Sequence, residues 1–336
     1  MFRGMSWQPV SFGEPGSVLR LRELTWAPPT EGRILVRVLA SGLSLPDLLA
    51  TRGVYAPVPA VPLGIGLEAV GEVVATPERS RFTVGQRVMG MTSLFATGHG
   101  GHAEYAYLLA DETRPVPENL GDAQAAGFVI GFRTAHTALV DRCAIKPGET
   151  LAVVGAAGNS GMAAVQLGKA LGATVIAVAG NADKLAYCQA IGADHGVNHT
   201  TGNVADEIME LTAGHGADVI FDPVGGEVAE QAVKAVAQFG RVAVIGFASG
   251  SVLRLDAFDM LNREYSAVGM LSLGDSWNSI PHRRDAAYDQ LIDLVESGIL
   301  QVPAPLTMPF AKLPEAVARL GTSPVGKMAV ESAESY

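Results

Sequence analysis

Residues 151–180 read LAVVGAAGNSGMAAVQLGKALGATVIAVAG, and this stretch decides the fold. It opens on an apolar run typical of a buried strand, passes through a glycine-rich turn and a helical segment, and ends in a second β-rich run. The turn carries Gly155, Gly158 and Gly161 at intervals of three. Strand, glycine turn, helix and strand form the βαβ unit that binds a dinucleotide, with the pyrophosphate at the helix start. A tight turn without a ligand is the alternative, and the flanking strand and helix favour cofactor binding.

Composition narrows the class of protein. The 336 residues predict two domains, and 48% hydrophobic residues with 39 Gly and 19 Pro favour a folded α/β protein rich in turns. A formal net charge of -10 argues against nucleic acid or an anionic membrane as the main partner. Two cysteines, Cys143 and Cys188, are too few for a disulfide framework, so a cytoplasmic location is expected. The first residues lack the apolar segment of a signal peptide, and no apolar run is long enough to span a bilayer.

The rest of the pattern divides the chain into segments of different kinds. Short β runs and turns before residue 122 predict a small barrel or sandwich, whereas alternating strands and helices from residue 151 predict a doubly wound parallel sheet. The tail breaks this alternation, so we expect it to return to the N-terminal unit. The expected domains are residues 1–122, residues 123–264, and residues 265–336 as an edge strand followed by that return. In the central part, strands are predicted at 151–155, 174–178, 195–197, 218–221, 241–246 and 267–271, and helices at 160–171, 182–191, 204–211 and 227–237.

Ordered motifs along nearly the whole chain carry a family resemblance. They read GLSLPD at 42–47, RGVY at 52–55, LGIGLEAVG at 63–71, GQRV at 85–88, GHAEY at 101–105, KPGE at 146–149 and GAAGNSG at 155–161. With these motifs the sequence resembles the medium-chain dehydrogenase/reductase superfamily, in its zinc-free quinone oxidoreductase (zeta-crystallin-like) and enoyl reductase branch. The resemblance implies a GroES-like β-rich catalytic domain wrapping a Rossmann domain, an active site in the cleft between them, and a homodimer formed through the edge strand near 267–271.

Zinc-dependent members of the superfamily provide a test for a metal. The positions where their Cys and His ligands would fall are here Ser44 and Leu67, with a third near Ile130. None of these side chains replaces a thiolate or an imidazole in a stable zinc site. His99 and His102, in HGGH, form the only close His pair, and without further ligands we interpret them as part of a polar turn. We therefore expect no metal.

The end of the second predicted strand bears on the choice of nicotinamide cofactor. NAD-selective Rossmann folds usually place Asp or Glu there, whereas residues 178–184 read VAGNADK without an acid at the strand end. This favours NADPH over NADH, and Lys184 brings a positive charge suited to a 2′-phosphate, although it could also be a solvated helix residue. The resemblance implies a phosphate contact for Lys184 and places His199 where relatives often carry a tyrosine near the same phosphate. It also places Lys327 close to the cofactor, with a surface lysine as the alternative. The expected cofactor-binding residues are Gly155, Ala157, Gly158, Asn159, Ser160, Gly161, Gly180, Asn181, Lys184, His199, Gly246, Phe247, Ala248 and Lys327.

Without a metal electrophile, hydride transfer requires an acceptor that delocalises the incoming negative charge, such as a quinone or another α,β-unsaturated carbonyl. The resemblance implies that Tyr55 lines the active site as a hydrogen-bond or proton donor, that Ser44 stands in place of an Asn, and that Thr134 lies near the nicotinamide. A tyrosine packed under a loop and a plain helix threonine are the alternatives. We interpret Asp47 as structural, capping a helix that starts at Leu48.

Three functions follow from this reading. The first is an NADPH-dependent, zinc-independent quinone or enone reductase. The second is a 2-enoyl thioester reductase, for which Arg254, Arg263, Arg283 and Arg284 are a candidate basic rim, with solvated surface charge as the alternative. The third is a non-catalytic NADPH-binding protein, as some members of this branch serve in eye lenses. The sequence leaves the acceptor open.

Overall fold

The computed structural model describes residues 1–55, 60–271 and 280–332. The chain divides into two compact units, unit 1 with Met1–Ile130 and Val302–Tyr336, and unit 2 with Gly131–Gln301. The boundaries between these units fall after residues 130 and 301, whereas the sequence analysis expected boundaries after residues 122 and 264. Residues Asp122–Ala126 form a helix that packs on strands of unit 1, and unit 2 continues through a helix at Pro281–Glu296. Residues 272–279 and 333–336 of the expected third segment lie outside the described residues.

Strands alternate with helices only in the middle of the chain. In chain order, the strands of the described residues are β1 Phe2–Pro9, β2 Leu19–Trp26, β3 Arg33–Leu43, β4 Glu68–Ala75, β5 Arg87–Thr92, β6 Tyr105–Pro115, β7 Thr150–Val154, β8 Thr174–Ala179, β9 His195–Asn198, β10 Ala217–Asp222, β11 Val236–Val244, β12 Ser266–Gly269, β13 Leu306–Pro309 and β14 Met328–Glu331. The helices are Pro15–Val18, Leu45–Arg52, Leu94–Thr97, Asp122–Ala126, Val129–His136, Asn159–Ala170, Ala182–Ala190, Val204–Leu211, Gly226–Val233, Ala257–Arg263, Pro281–Glu296 and Leu313–Arg319, with a π-helical turn at Thr137–Arg142 and 3-10 turns at Phe310–Lys312 and Leu320–Thr322. No helix in these ranges is both long and apolar enough to cross a lipid bilayer.

Unit 1 contains a sheet that closes on itself. Strands β3, β4, β5 and β6 pair antiparallel in that order, and β6 pairs back with the first residues of β3. The last residues of β3 pair instead with β14, which also pairs parallel with β13. Alternate residues of β3, namely Ile34, Val36 and Val38, enter the core inside this closed sheet, as its period-2 pattern predicts. The predicted β-rich domain is therefore a small barrel.

Unit 2 is a parallel sheet of six strands in the order β12-β11-β10-β7-β8-β9. The strand order runs outward from β7 in both directions, which is the doubly wound arrangement. The sheet is buried through its centre: Leu151, Ala152, Val153 and Val154 of β7 are all 0% exposed. The predicted Rossmann fold is confirmed, and its ligand crevice is expected beyond the carboxyl end of β7, where the strand order reverses.

One predicted helix is shorter than expected. The sequence predicts a helix over 227–237, but the helix Gly226–Val233 ends early and β11 begins at Val236. Val236 is aligned with Ala217 of β10 in the parallel ladder. Pairing with a neighbouring strand outweighs the helical propensity of the AVKAVAQ stretch, because propensity is a weak preference that tertiary contacts override.

The glycine turn after β7 depends on close backbone packing at Gly161. A Cβ at this position would overlap the carbonyl oxygen of Gly155 and lie 2.7 Å from Ala156 Cα. Gly155 itself has φ +63, a left-handed conformation that other residues adopt at a cost. The turn and the start of helix Asn159–Ala170 therefore touch through backbone atoms that have no room to move.

We expect Gly161→Ala to destabilise the protein by about 1–3 kcal/mol, because the new methyl group forces the helix start away from the turn. Gly158→Ala is the matched control, since its Cβ would approach only Gly155 O, at 3.4 Å, and its φ is -85. Urea unfolding of the two variants measures the difference. Equal stability of both variants would show that the turn is not tightly packed.

Candidate functional site

The glycine turn of unit 2 presents a helix N-terminus suited to an anion. Gly158 is the N-cap of the helix Asn159–Ala170 and has no side chain to accept from the first helical N–H groups. The first turn of this helix carries no acidic residue. The unpaired N–H groups and the positive end of the helix dipole would therefore attract a phosphate. The predicted residues Gly155, Ala157, Asn159, Ser160 and Gly161 all lie on this turn or in the first helical turn.

The end of β8 brings the next predicted residues together. Gly180 follows the strand, and the side chain of Asn181 accepts a hydrogen bond from Lys184 N at 2.9 Å, which starts the helix Ala182–Ala190. A Cβ added to Gly180 would lie 3.0 Å from His199 Nε2. A glycine and an imidazole thus lie at the strand end, and Lys184 follows on the first turn of the helix, which also carries Asp183.

Two further loops at the carboxyl edge of this sheet pack on each other. Gly246 N donates to Asp222 O at 3.4 Å, and Ala248 N donates to Pro223 O at 3.1 Å. Asp222 is fully buried, and its Oδ1 accepts from Val224 N and Gly225 N. Burial raises the pKa of this carboxyl group, although its two N–H partners oppose the rise. The predicted residues Gly246, Phe247 and Ala248 lie in the second of these loops, and the ring of Phe247 is 48% exposed.

In unit 1, Tyr55 and Ser44 lie at opposite ends of the helix Leu45–Arg52. Tyr55 is half-buried in the wall of a small, mostly apolar pocket. Burial of the phenol, and then the negative charge of Asp47, raise the pKa of Tyr55 above its ordinary value. The phenol is therefore protonated at neutral pH and acts as a donor. The pocket is lined by Pro46, Asp47, Ala50, Tyr55, Ile65, Leu67, Leu94 and Phe95.

The hydroxyl of Ser44 already has an acceptor. Ser44 Oγ donates to Asp47 Oδ2 at 3.2 Å, and Ser44 N donates to the same oxygen at 2.8 Å. A hydroxyl has a single proton to donate, so a substrate reaching Ser44 would meet an acceptor rather than a free donor. Asp47 is the third residue of the helix, which begins at Leu45 with Ser44 as its N-cap. The expected helix start at Leu48 was wrong, because the Asp47 carboxylate satisfies the N-cap N–H one turn earlier.

The third predicted catalytic residue belongs to unit 2. Thr134 lies in the helix Val129–His136, and its side chain is buried, with 5% of its surface exposed. Ser44 and Tyr55 flank one helix of unit 1, whereas Thr134 belongs to unit 2.

The residues at the zinc-ligand positions do not fit a metal. Ser44 Oγ is engaged by Asp47, and Leu67 is an apolar side chain in the pocket wall. Ile130 contributes its backbone N–H to Glu68 Oε2 and has no ligand atom in its side chain. Zinc in proteins takes thiolate, imidazole or carboxylate ligands. Over residues 1–55, 60–271 and 280–332, no three His, Cys, Asp or Glu side chains converge as a metal site.

Lys327, predicted to lie near the cofactor, is buried in unit 1 against Glu68. Its Nζ lies 2.5 Å from Glu68 Oε1, and the two side chains are 2% and 0% exposed. Glu68 Oε2 accepts from Ile130 N at 2.8 Å, so both carboxylate oxygens have partners. This pair and its Ile130 partner join the start of β4, the residue just before β14 and the end of the first chain segment of unit 1. The ammonium group is therefore already neutralised, and a role toward the cofactor stays a prediction.

We expect Lys327→Met to destabilise unit 1 by about 3–5 kcal/mol, because Glu68 would then be a buried charge without a counter-ion. The double variant Lys327→Met/Glu68→Gln should recover most of this loss, since Gln removes the charge and its oxygen can still accept from Ile130 N. The midpoint of urea unfolding is the measurement. A single variant as stable as the unsubstituted protein, or a double variant no better than the single one, contradicts a buried ion pair.

Sequence reasoning missed Glu68 and His102 as functional candidates. Glu68 interrupts the apolar run LGIGLEAVG, and a charge in a predicted buried strand signals a buried partner. His102 was interpreted as part of a polar turn, yet its side chain is fully buried beside Ser41 and Asp47. No pattern in the sequence identifies these partners, because they come from separate parts of the chain.

Known proteins resemble this chain over most of its length. Residues 30–118 match the model of the alcohol dehydrogenase GroES-like domain, and residues 161–295 match that of the zinc-binding dehydrogenase family. A quinone oxidoreductase-like protein 2 homolog of Nematostella vectensis is 34% identical to this chain, and the match covers 81% of this chain and 73% of the relative. A quinone oxidoreductase of Pseudomonas aeruginosa is 31% identical to this chain, and the match covers 88% of this chain and 89% of the relative. The crystal structure of Escherichia coli quinone oxidoreductase complexed with NADPH superposes with a TM-score of 0.86 at 25% identity, covering 97% of this chain and 99% of that one.

Proposed function

The chain belongs to the medium-chain dehydrogenase/reductase superfamily, in its quinone oxidoreductase and enoyl reductase branch. From this premise we propose that it is a zinc-independent, NADPH-dependent reductase of quinones or other α,β-unsaturated carbonyl compounds. Membership makes it an oxidoreductase; the acceptor and the independence from zinc are our proposals. The observation that carries them is the pair formed by Tyr55, a half-buried phenol whose pKa is raised, and the apolar wall beside it, in which Leu67 stands where zinc-dependent members have a ligand.

The residues of unit 2 fit NADPH. The turn at Gly155, Gly158 and Gly161 would hold the pyrophosphate at the helix N-terminus. Lys184, with His199 beside Gly180, would hold the 2′-phosphate, which an acid at the end of β8 would repel. NADPH, when bound, supplies a hydride.

Tyr55 would act on the acceptor. As hydride reaches a conjugated acceptor, negative charge collects on the carbonyl oxygen, and a donor aimed at that oxygen stabilises it. The phenol of Tyr55 keeps its proton at neutral pH because its pKa is raised by burial and by Asp47. It would first donate a hydrogen bond to the oxygen and then the proton itself. Ser44 would act only indirectly, by holding the Asp47 carboxylate at the start of the helix.

An acceptor panel tests this function. NADPH oxidation is followed by the loss of its absorbance with 1,4-benzoquinone, an aliphatic enone and crotonyl-CoA, each with and without a strong zinc chelator, and alcohol oxidation is assayed with NADP⁺. We expect turnover with the quinone or the enone and no effect of the chelator. Chelator-sensitive alcohol oxidation would contradict the proposal. Tight NADPH binding without turnover on any acceptor would identify a non-catalytic NADPH-binding protein instead.

The thioester alternative gains little support from the structure. Of the candidate basic rim, Arg284 is only 5% exposed and lies against Asp285, and Arg263 is paired with Asp259 at 3.0 Å. A rim for the phosphates of a coenzyme needs exposed, unpaired cations. Preference for crotonyl-CoA in the same panel would restore this alternative.

An exposed apolar surface in unit 2 supports a homodimer. In the described residues β12 is the last strand of its sheet and pairs on one side only. Phe258 and Leu261, on the helix before it, are 71% and 73% exposed, and such clustered apolar side chains mark association sites. We expect Leu261→Glu to convert a dimer into a monomer in analytical ultracentrifugation. Leu211→Glu, at a partly exposed leucine of another helix, is the control that should leave the dimer intact.

A further inference from the structure

His102 is fully enclosed in unit 1 and faces two buried side chains. Its Nδ1 lies 2.7 Å from Ser41 Oγ, and its Nε2 lies 3.7 Å from Asp47 Oδ1. Nε2 has no hydrogen-bond partner at normal distance among the described residues. A buried ring nitrogen directed at a buried carboxylate is a costly arrangement unless the two groups interact.

Backbone packing fixes the position of this ring. His102 N donates to Ile65 O at 3.0 Å, which ties residues 98–102 to residues 64–67. A Cβ at Gly66 would lie 2.7 Å from His102 N, and a Cβ at Gly100 would overlap Ile65 O. Because these glycines let the two segments touch through their backbones, the backbone of His102 is held close to Ile65 and Gly66, and its side chain is enclosed there.

Asp47 carries a negative charge inside the protein. Burial pushes the pKa of its carboxyl group up, but His102 and the Ser44 N–H outweigh burial and hold that pKa below its ordinary value. Gly66 N and Ser44 N donate to the two carboxylate oxygens. A lone pair on Nε2 facing this carboxylate would be repelled, so Nε2 must carry a proton. Nδ1 then accepts from the Ser41 hydroxyl, or donates to it if the ring is charged.

The same carboxylate forms part of the pocket wall that contains Tyr55. Lys327, which is paired with Glu68, also helps to hold the pKa of Asp47 down, but less than His102 and Ser44 do. The charge that Tyr55 experiences in this pocket is therefore that of Asp47, moderated by His102.

We propose that His102 is a positioning residue for proton donation by Tyr55: its buried imidazole, with Nε2 3.7 Å from Asp47 Oδ1, holds the carboxylate of Asp47 in place by an electrostatic contact, and that carboxylate sets the electrostatic environment of the phenol. The inference rests on the proposed function, in which Tyr55 protonates the acceptor. It adds a residue that touches neither substrate nor cofactor and acts only through Asp47.

The state of the imidazole can be tested without turnover. In the ¹⁵N-labelled protein, the side-chain resonances of His102, assigned by their loss in His102→Gln, report which ring nitrogen is protonated. We expect a proton on Nε2, either in the neutral ring or in the charged ring. A neutral ring protonated on Nδ1, with Nε2 bare, would overturn the inference.

The link to Tyr55 is tested with two His102 variants. Gln can keep an N–H near the place of Nε2, whereas Phe fills the volume and removes the donor. We expect His102→Phe to lower kcat by roughly tenfold, the order of one lost polar contact to a buried charged group, and His102→Gln to restore most of it, with the KM for NADPH unchanged in both. Equal kcat values for the two variants would overturn the proposal.

A titration separates this inference from the proposed function and covers the case in which His102→Phe does not fold. The ¹³Cζ resonance of Tyr55 gives the pKa of the phenol directly. Asp47→Asn should lower the pKa of Tyr55, because the neighbouring negative charge is removed, and His102→Gln should change it less. An unchanged pKa of Tyr55 in Asp47→Asn would overturn the inference. If the unsubstituted protein reduces no acceptor, the proposed function fails, and the two resonances still decide the role of His102.

Discussion

Tyr55→Phe lowers kcat for quinone or enone reduction by about 10²–10⁴-fold, the usual contribution of a positioned proton donor. The substitution removes one hydroxyl and keeps the ring, so the apolar packing of the pocket is preserved. The KM for NADPH should not change, because Tyr55 is not among the residues assigned to the cofactor. Steady-state kinetics with saturating NADPH and a varied acceptor measures the loss.

The pH dependence follows from the same residue. Burial and the charge of Asp47 raise the pKa of Tyr55, so the donating form persists throughout the neutral range. Loss of activity by deprotonation of this phenol is expected only above about pH 10, the ordinary value for tyrosine. Tyr107→Phe is the matched control, since that phenol lies in unit 1 but donates to Ala27 O at 2.8 Å and does not line the pocket. Equal activity of the Tyr55 and Tyr107 variants would remove Tyr55 from the mechanism.

Lys184→Ala raises the KM for NADPH by roughly 10–100-fold, as expected for the loss of one charge-assisted hydrogen bond to a phosphate. The KM for NADH should stay nearly unchanged, because NADH lacks the 2′-phosphate. The ratio of kcat/KM for the two cofactors is the decisive measurement. Adding His199→Ala to this variant should reduce the preference for NADPH further.

A matched control for this experiment is Lys169→Ala. Lys169 is also a lysine of unit 2, but its Nζ is paired with Asp194 at 2.7 Å, away from the end of β8 where Asn181 and Lys184 lie. The control should leave the cofactor preference intact. An NADPH preference that survives the loss of Lys184 and His199 together would place the phosphate-binding group elsewhere.

Local patterns predicted the centre of unit 2 well. The strands β7 and β8 and the glycine turn between them are each encoded within a few residues, and periodicity alone identifies such elements. The end of the helix Gly226–Val233 was missed, because it depends on the pairing of Val236 with Ala217 in a neighbouring strand. Elements that are decided by a distant partner cannot be read from their own sequence.

The candidate site shows the same contrast between residues that a local motif identifies and contacts that depend on distant parts of the chain. Tyr55, Ser44 and the residues of the glycine turn stand in recognisable motifs, so the sequence supplied them as candidates. The contacts that surround them join distant positions: Glu68 and Lys327 are 259 residues apart, and Ser41 and His102 are 61 residues apart. The sequence places Ser44 three residues before Asp47, but only the structure shows that the Ser44 hydroxyl donates its hydrogen bond to the Asp47 carboxylate.

The place of β14 in the sheet of unit 1 has a consequence for biosynthesis. This strand lies between β13 and β3, although it is encoded by Met328–Glu331. A ribosome therefore delivers the whole of unit 2 before it delivers the strand that covers one edge of β3 and the lysine that neutralises Glu68. The nascent chain should acquire its cofactor-binding half first, and a product terminated before Lys327 should remain open at that edge and be removed by proteolysis.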